Sequence, residues 1–430
     1  MGLGFLGKFL SVLARILLSR TLSLEAMGYY SLVSPTMLLF ITLSQMGLPT
    51  AISTLEAKYP ERGKMIFASA FFLSMSFSIT LMILLLYFGG DIARILFQNE
   101  EVTEALYGLA LLLPLVSLSA LVKGFFYGKN QLDFTSTSTM MEGVGRILFT
   151  VFVLPIFLRY GNRIAAFGAM LTLCVGEIFQ GGFLIFFNEQ KLYKRTHEIM
   201  RIPLRDTYSG QREVLSLSFP LTLSRLVGSL TYFMEPILLT HLLLRSGMNQ
   251  SEIATQYGVL SGYVLPCLML PEFFSTVLAN YLLPNLSKMI VKKDYLGAKK
   301  KFHEVLLINA VISLVTVTCL FFFGRPIYHF LYHIDEGYEW LKILSFPIVI
   351  FYLEAPIVAC MHAWGLTKKA FYSTVISCIV RLLFLTFFTE IFGVITAGYA
   401  LVICAIIDVG GNWMMVEKKW KSVINEESKT

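Results

Sequence analysis

Twelve apolar stretches divide the chain: about 3–21, 28–49, 65–88, 104–126, 134–158, 164–187, 214–239, 254–283, 302–323, 339–363, 371–389 and 392–416. Each is close to the roughly 20 apolar residues that a helix needs to cross a bilayer. Inside hydrocarbon a backbone must satisfy its own polar groups, which an isolated span does only as a helix. The pattern therefore predicts an all-α polytopic membrane protein of about 12 transmembrane helices. The longest polar interval, 189–213, separates a six-helix lobe at 1–188 from a second at 214–418, with a tail at 419–430. Stretch 254–283 is long and carries Pro266 and Pro271. It is kinked there, or ends in an interfacial helix running to about residue 293.

Charge adds an orientation. Loops on one side carry Lys58, Arg62 and Lys64, then Lys129, six basic residues in 189–213, six from Lys288 to Lys301, Lys368 with Lys369, and four from Lys418 onward. These make 22 basic residues. The alternate loops hold six: Arg20, Arg94, Arg159, Arg163, Arg245 and Arg325. Basic loops stay cytoplasmic, so both termini are expected on the cytoplasmic side of the membrane. Lys8 and Arg15 interrupt the first run and no small-residue cleavage site follows, which predicts a retained span and not a cleaved signal.

Composition agrees. Of 430 residues, 56% are hydrophobic and 15% charged, against about 25% charged in soluble domains. That excludes a soluble enzyme, a nucleic-acid-binding protein and a disordered chain. No nucleotide-binding loop occurs, so ATP hydrolysis by the chain is not expected. The six cysteines all lie within spans without a CxxC pair and read as small hydrophobes. His329 and His333 sit four apart near Asp335 in an outer loop, and an interfacial turn explains them better than a metal site.

The halves echo one another. Gly128, Phe134, Ser136, Thr137 and Arg146 have counterparts in Gly365, Phe371, Ser373, Thr374 and Arg381, each set opening the penultimate helix of its half. Pro49, Ser53 and Lys58 match Pro284, Ser287 and Lys292. Two six-span copies keep the same orientation and suit alternating access.

Ionisable residues at bilayer depth usually face a bundle interior or a wet cavity. Glu142 and Arg146 are four apart and can pair on one helix face. Lys8 and Arg15 are seven apart, hence on one face of the first span. That span holds no acid, and two such cations call for an anionic partner, either an acid on another span (Glu142 or Glu177) or a phosphate-bearing ligand. Arg225, early in the seventh span, is a matching cation. Arg146 and Arg381, placed alike in the two halves, complete the substrate-binding candidates. Glu142, Glu272 and Asp408 are candidates for coupling protons or sodium. No other cofactor, no metal and no nucleic-acid partner is expected; membrane lipids surround what reads as a monomer.

Several motifs are similar to those of the oligosaccharide flippases related to stage V sporulation protein B. They are Ala14-Arg15-Ile16-Leu17-Leu18-Ser19-Arg20, Gly47-Leu48-Pro49-Thr50, Lys123-Gly124-Phe125-Phe126-Tyr127-Gly128, Phe219-Pro220-Leu221-Thr222-Leu223-Ser224-Arg225 and Tyr257-Gly258-Val259-Leu260-Ser261-Gly262. The resemblance runs through nearly the whole chain in order. It implies the MATE-like fold of the multidrug/oligosaccharidyl-lipid/polysaccharide exporters, two six-helix lobes rocking between inward-open and outward-open states. It also implies flipping of undecaprenyl-pyrophosphate-linked glycans, the peptidoglycan precursor lipid II among them, to the outer leaflet. The lipid II flippase branch uses cations of the first helix, which carries over to Lys8 and Arg15 and more loosely to Arg225. Close relatives usually have fourteen spans, two more than are counted here, which bears on the lipid-tail groove. The expected function is a non-enzymatic lipid-linked glycan flippase; the rivals are a cation-coupled multidrug exporter of the same fold, a membrane glycosyltransferase and an assembly scaffold.

Overall fold

A computed structural model describes residues 2–187 and 204–427; of the linker 189–213, residues 189–203 lie outside the described residues, as do the last three of the tail. Among the described residues the chain is helical, with no strand.

The first helix, α1 (Gly2–Thr21), is followed by α2 (Leu24–Gln45), whose N-cap Ser23 accepts a hydrogen bond from the Ala26 amide. Hydropathy across 28–49 predicts one unbroken span. The chain instead turns at Met46 and Gly47, with φ of 48° and 63°, and restarts as α3 (Leu48–Lys58) with Pro49 in its first turn. Proline sits there without losing a helical hydrogen bond. Next come α4 (Gly63–Ile95), α5 (Thr103–Gly128) and α6 (Leu132–Phe152). Stretch 134–158 breaks at Val153, and the short α7 (Leu154–Leu158), with Pro155 near its start, completes it. The first half ends with α8 (Asn162–Phe186).

Helix α9 (Leu204–Arg245) opens the second half. The next stretch is broken twice. After α10 (Gln250–Gly258) comes a π-helical segment, Val259–Val264, then α11 (Leu265–Leu268), and the axis bends by 51° into α12 (Glu272–Val291). Pro266 and Pro271 bracket the bend, as prolines that remove ladder donors do. The stretch is kinked where its prolines predict, and the arm after the bend continues to Val291. Asp294 caps α13 (Tyr295–Tyr332) by accepting from the Gly297 amide at 3.0 Å. A second bend, of 52°, separates α14 (Tyr338–Ser345) from α15 (Val349–Ala363), with Pro347 in the link. The chain closes with α16 (Thr367–Phe392) and α17 (Thr396–Glu427).

Among the described residues, seven helical segments are long and apolar enough to cross a membrane, and the two bent pairs bring the number to nine. One of the seven, Thr367–Ile424, takes in both α16 and α17. Every one of the twelve apolar stretches lies on one helix or on consecutive helices.

Packing divides the chain into two units, Met1–Thr240 with Asn249–Gly258, and His241–Met248 with Val259–Thr430. In the first, α8 packs on α5 and α6, α1 packs on α6, and α5 packs on α2, α3 and α4. In the second, α17 packs on α16 and α15, and α15 packs on α12 and α13. Counted within each half, the sixth span lies on the fourth and fifth, and the fourth on the second and third. The cores follow the same rule. One gathers Leu48 and Ile52 of α3, Ile66 of α4, Phe125 of α5 and Leu184 of α8. The other gathers Leu282 and Leu286 of α12, Phe302 of α13, Met361 of α15 and Trp420 of α17. The neighbours repeat where the sequence motifs do.

Contact between α3 and α5 depends on small residues. A Cβ at Gly124 would lie 2.4 Å from the Pro49 carbonyl oxygen, and one at Gly128 2.8 Å from that of Ser53. Close backbone approach of this kind is a common way for helices to pack in lipid. Gly124→Leu is therefore expected to cost roughly 1–3 kcal/mol, measured as a lowered Tm of the purified protein. An unchanged Tm would refute the contact.

Candidate functional site

Helix α1 has two different faces. Gly4, Gly7, Leu10 and Ala14 turn toward α6: a Cβ at Gly7 would be 3.3 Å from the Met140 amide nitrogen, and one at Gly143 2.7 Å from Leu10 Cβ. Away from that contact, Lys8, Val12 and Arg15 are all exposed. The seven-residue spacing thus places both cations on a face of α1 that α6 does not cover. Arg225, on α9, is also exposed, and its Nη2 donates to Thr50 Oγ1 of α3 at 3.4 Å.

A polar network ties α5, α6 and α8 together. Arg146 Nη2 lies 2.5 Å from Glu142 Oε1 one turn back and 3.9 Å from Glu177 Oε1 of α8. Gln180 Nε2 donates to the other Glu142 oxygen at 2.7 Å. The Ser119 hydroxyl of α5 donates to Glu177, and Lys123 Nζ donates to Thr139 Oγ1 at 2.8 Å. The pairing of Glu142 with Arg146 expected from their spacing is present, and it extends to Glu177. Gly176 makes room for it, since a Cβ there would be 2.7 Å from Arg146 Cγ. A guanidinium between two carboxylates in a partly buried site is a costly arrangement to disrupt.

The second unit holds an acidic cavity of about 340 Å³ between α12 and α15, lined by Glu272, Ser275, Asn280, Glu354 and His362 among others. Ser275 Oγ donates to Asn309 Oδ1 at 2.9 Å, and Asn309 Nδ2 donates to the Tyr352 carbonyl at 2.7 Å. These bonds hold α12, α13 and α15 in place around the cavity. Glu354 lies beside Asp408 of α17. Asp408 accepts from Asn412 Nδ2 at 3.1 Å and Thr374 Oγ1 at 3.5 Å. Glu272 and Asp408, both chosen in the sequence, are thus linked through Glu354, which was not. The cavity walls are arms of the two bent pairs, and interrupted apolar segments are a pointer to transporter sites. Pro266 and Pro271 carried that signal for the first pair, and Pro347 stands in the link of the second.

Arg381 does not join this group. It is buried on α16, with Cys404 of α17 and Cys378 near it. Among the described residues, no group of three or more His, Cys, Asp or Glu is placed to hold a metal ion. His329 lies 3.7 Å from Asp335, which also faces Arg325 at 3.6 Å.

Two helical units, one with a cationic helix face and the other with an acidic cavity between broken helices, make up a polytopic helical membrane protein of the MATE-like fold. An inward-facing multidrug resistance MATE family transporter of the MOP superfamily superposes with a TM-score of 0.77 at 17% identity, covering 97% of this chain and 96% of that one. The lipid II flippase MurJ in an inward closed conformation gives 0.73 at 15% identity, over 98% of this chain and 88% of that one. The chain belongs to the polysaccharide biosynthesis protein family, whose model matches residues 1–290. Among curated relatives, stage V sporulation protein B of Bacillus subtilis (strain 168) is 27% identical over 409 residues, 93% of this chain and 78% of the relative. The lipid II flippase MurJ of the same organism is 22% identical, over 80% of this chain and 68% of its own length.

Proposed function

We propose that this transporter flips an undecaprenyl-pyrophosphate-linked glycan, a lipid II-like precursor or a related oligosaccharide, from the cytoplasmic to the outer leaflet by alternating access. The observation that carries the reading is the exposed cationic face of α1. Lys8 and Arg15 stand exposed on a helix whose adjoining face is packed on α6. A pyrophosphate is the multiply charged anion that such a pair favours. Arg225 adds a third cation, while Arg146 and Arg381 serve the packing of their own units. The resemblance to stage V sporulation protein B and MurJ supports the lipid-linked class of substrate, for cell-wall or sporulation-linked polysaccharide synthesis. The basic loops support a bacterial plasma-membrane protein with both termini cytoplasmic, working as a monomer without covalent chemistry.

The acidic cavity supplies the coupling site. Glu272, Glu354 and Asp408 take up a proton or sodium ion, and its gradient biases the two conformations. Transport of a fluorescent polyprenyl-pyrophosphate saccharide in proteoliposomes tests both parts. The wild type is expected to respond to an imposed proton or sodium gradient. Glu354→Gln with Asp408→Asn is expected to retain basal flipping and lose that response; a retained response removes the acids from coupling. The same cavity favours a second reading, a cation-coupled multidrug exporter, because acids open to solvent attract cationic drugs. Drug hypersensitivity of a deletion strain whose lipid-linked precursors are flipped normally would select it.

A further inference from the structure

The first turns of α13 form a surface that neither the pyrophosphate site nor the acidic cavity uses. A shallow groove of about 450 Å³ is lined by Leu296, Lys299, Lys300, His303, Glu304 and Leu307. The basic side chains stand just before the apolar part of the helix, at the depth of a membrane–water boundary. Glu417 of α17 fixes two of them, with Lys299 Nζ 3.3 Å from one carboxylate oxygen and His303 Nε2 3.3 Å from the other. Glu304 is engaged by Lys301 at 3.5 Å. Among the described residues Lys300 makes no ion pair, and it is exposed at the groove. Aromatic groups surround the same level. Trp413 meets His303 edge to face at 5.8 Å, and Lys419 lies over Trp364 at 5.4 Å. Such rings mark the headgroup layer.

An apolar track leaves the groove. Leu307 is 65% exposed, and Val311, Leu314 and Val315 further along α13 are more than half exposed. Steps of three and four residues keep them on the face that carries Lys300. Fixed cations at the boundary with an exposed apolar stripe running into the bilayer match the two parts of a phospholipid.

We propose that this groove binds an anionic phospholipid of the leaflet bordering the basic loops. Its phosphate sits against Lys299, Lys300 and His303, and an acyl chain lies along Leu307, Val311 and Leu314. The inference goes beyond the transport reading and does not need it. The charge complementarity that selects an anionic over a zwitterionic headgroup is worth a measurable amount per lysine at a membrane surface.

Native mass spectrometry of the full-length protein, titrated in detergent with dioleoyl-phosphatidylglycerol, dioleoyl-phosphatidylcholine or inorganic phosphate, tests it. Phosphatidylglycerol is expected to be retained in preference to phosphatidylcholine, and phosphate alone is not. Lys299→Gln with Lys300→Gln is expected to weaken retention about tenfold. Lys300→Gln alone, which leaves the Glu417 pairs intact, gives part of that loss and guards against misfolding of the double variant. The control Lys292→Gln with Lys293→Gln removes equal charge outside the groove and is expected to retain the lipid. Equal retention of both lipids, an equal loss in the control, or phosphate binding as strong as the lipid's would each overturn the proposal.

Discussion

Replacing Lys8 and Arg15 together by alanine is expected to abolish flipping of the lipid-linked substrate while leaving the protein folded. Both side chains are exposed on α1, and the α1–α6 contact runs through Gly7, Leu10 and Gly143 instead. Alanine at these two sites therefore removes charge without opening the helix pair, and Tm should hold. Hydrogen bonds to charged groups are worth about 1.5–3 kcal/mol each. Losing two such contacts to a pyrophosphate lowers affinity by roughly a hundredfold or more, at 1.4 kcal/mol per factor of ten. Lys8→Arg should keep most of the activity, because a second guanidinium still meets phosphate. Arg15→Lys should keep less, since the forked geometry is lost. The measurement is reconstituted flipping of a polyprenyl-pyrophosphate saccharide, with Tm as the folding control. Wild-type flipping by the double alanine variant would take these residues out of the substrate site.

The helices and the Glu142–Arg146 pair were legible because both are local. A hydrophobic run long enough to span has one backbone solution in lipid, and a four-residue spacing sets two side chains on one face. The kink near Pro266 and Pro271 was legible for the same reason. Features that depend on contacts between distant segments were not. The break at Met46 and Gly47 leaves no dip in hydropathy; its mark is two residues of positive φ, which composition does not report. Glu354 reads as one more acid in an apolar run until the fold sets it against Asp408, on a helix far along the chain. Helix α10 looks like the start of a second-half span, yet it packs on α2, where a Cβ at Gly258 would be 2.6 Å from Gly28 Cα. Periodicity identifies the buried face of a helix and is silent on which neighbour buries it. The exposure of Lys8 and Arg15 lay between these cases. Spacing put them on one face, and only the packing of Gly7 and Leu10 against α6 shows that α6 is not what covers it.

Arg146 is the position where one substitution should damage the fold most. Its guanidinium stands 2.5 Å from Glu142 and 3.9 Å from Glu177, so Arg146→Met leaves the two acids facing each other with only the more distant Lys123 as a cation near Glu177. Ser119 and Gln180 still donate to them, but neutral donors do not offset like-charge repulsion in a partly buried site. Breaking a buried ion pair from one side costs about 3–5 kcal/mol, enough to lower Tm sharply or clear the protein from the membrane. Arg146→Lys should recover only part of this, because an ammonium is more strongly hydrated than a guanidinium and costs more to hold in a partly buried site. The decisive variant removes an acid as well. Arg146→Met combined with Glu142→Gln leaves one carboxylate, held by Ser119, and an amide beside Gln180. If the network exists to hold α6 against α8, this pair should restore most of the lost Tm, and flipping should return with it. Restored stability without flipping would instead place Arg146 in contact with substrate, and the cationic path would then extend from α1 into the α5–α6–α8 interior.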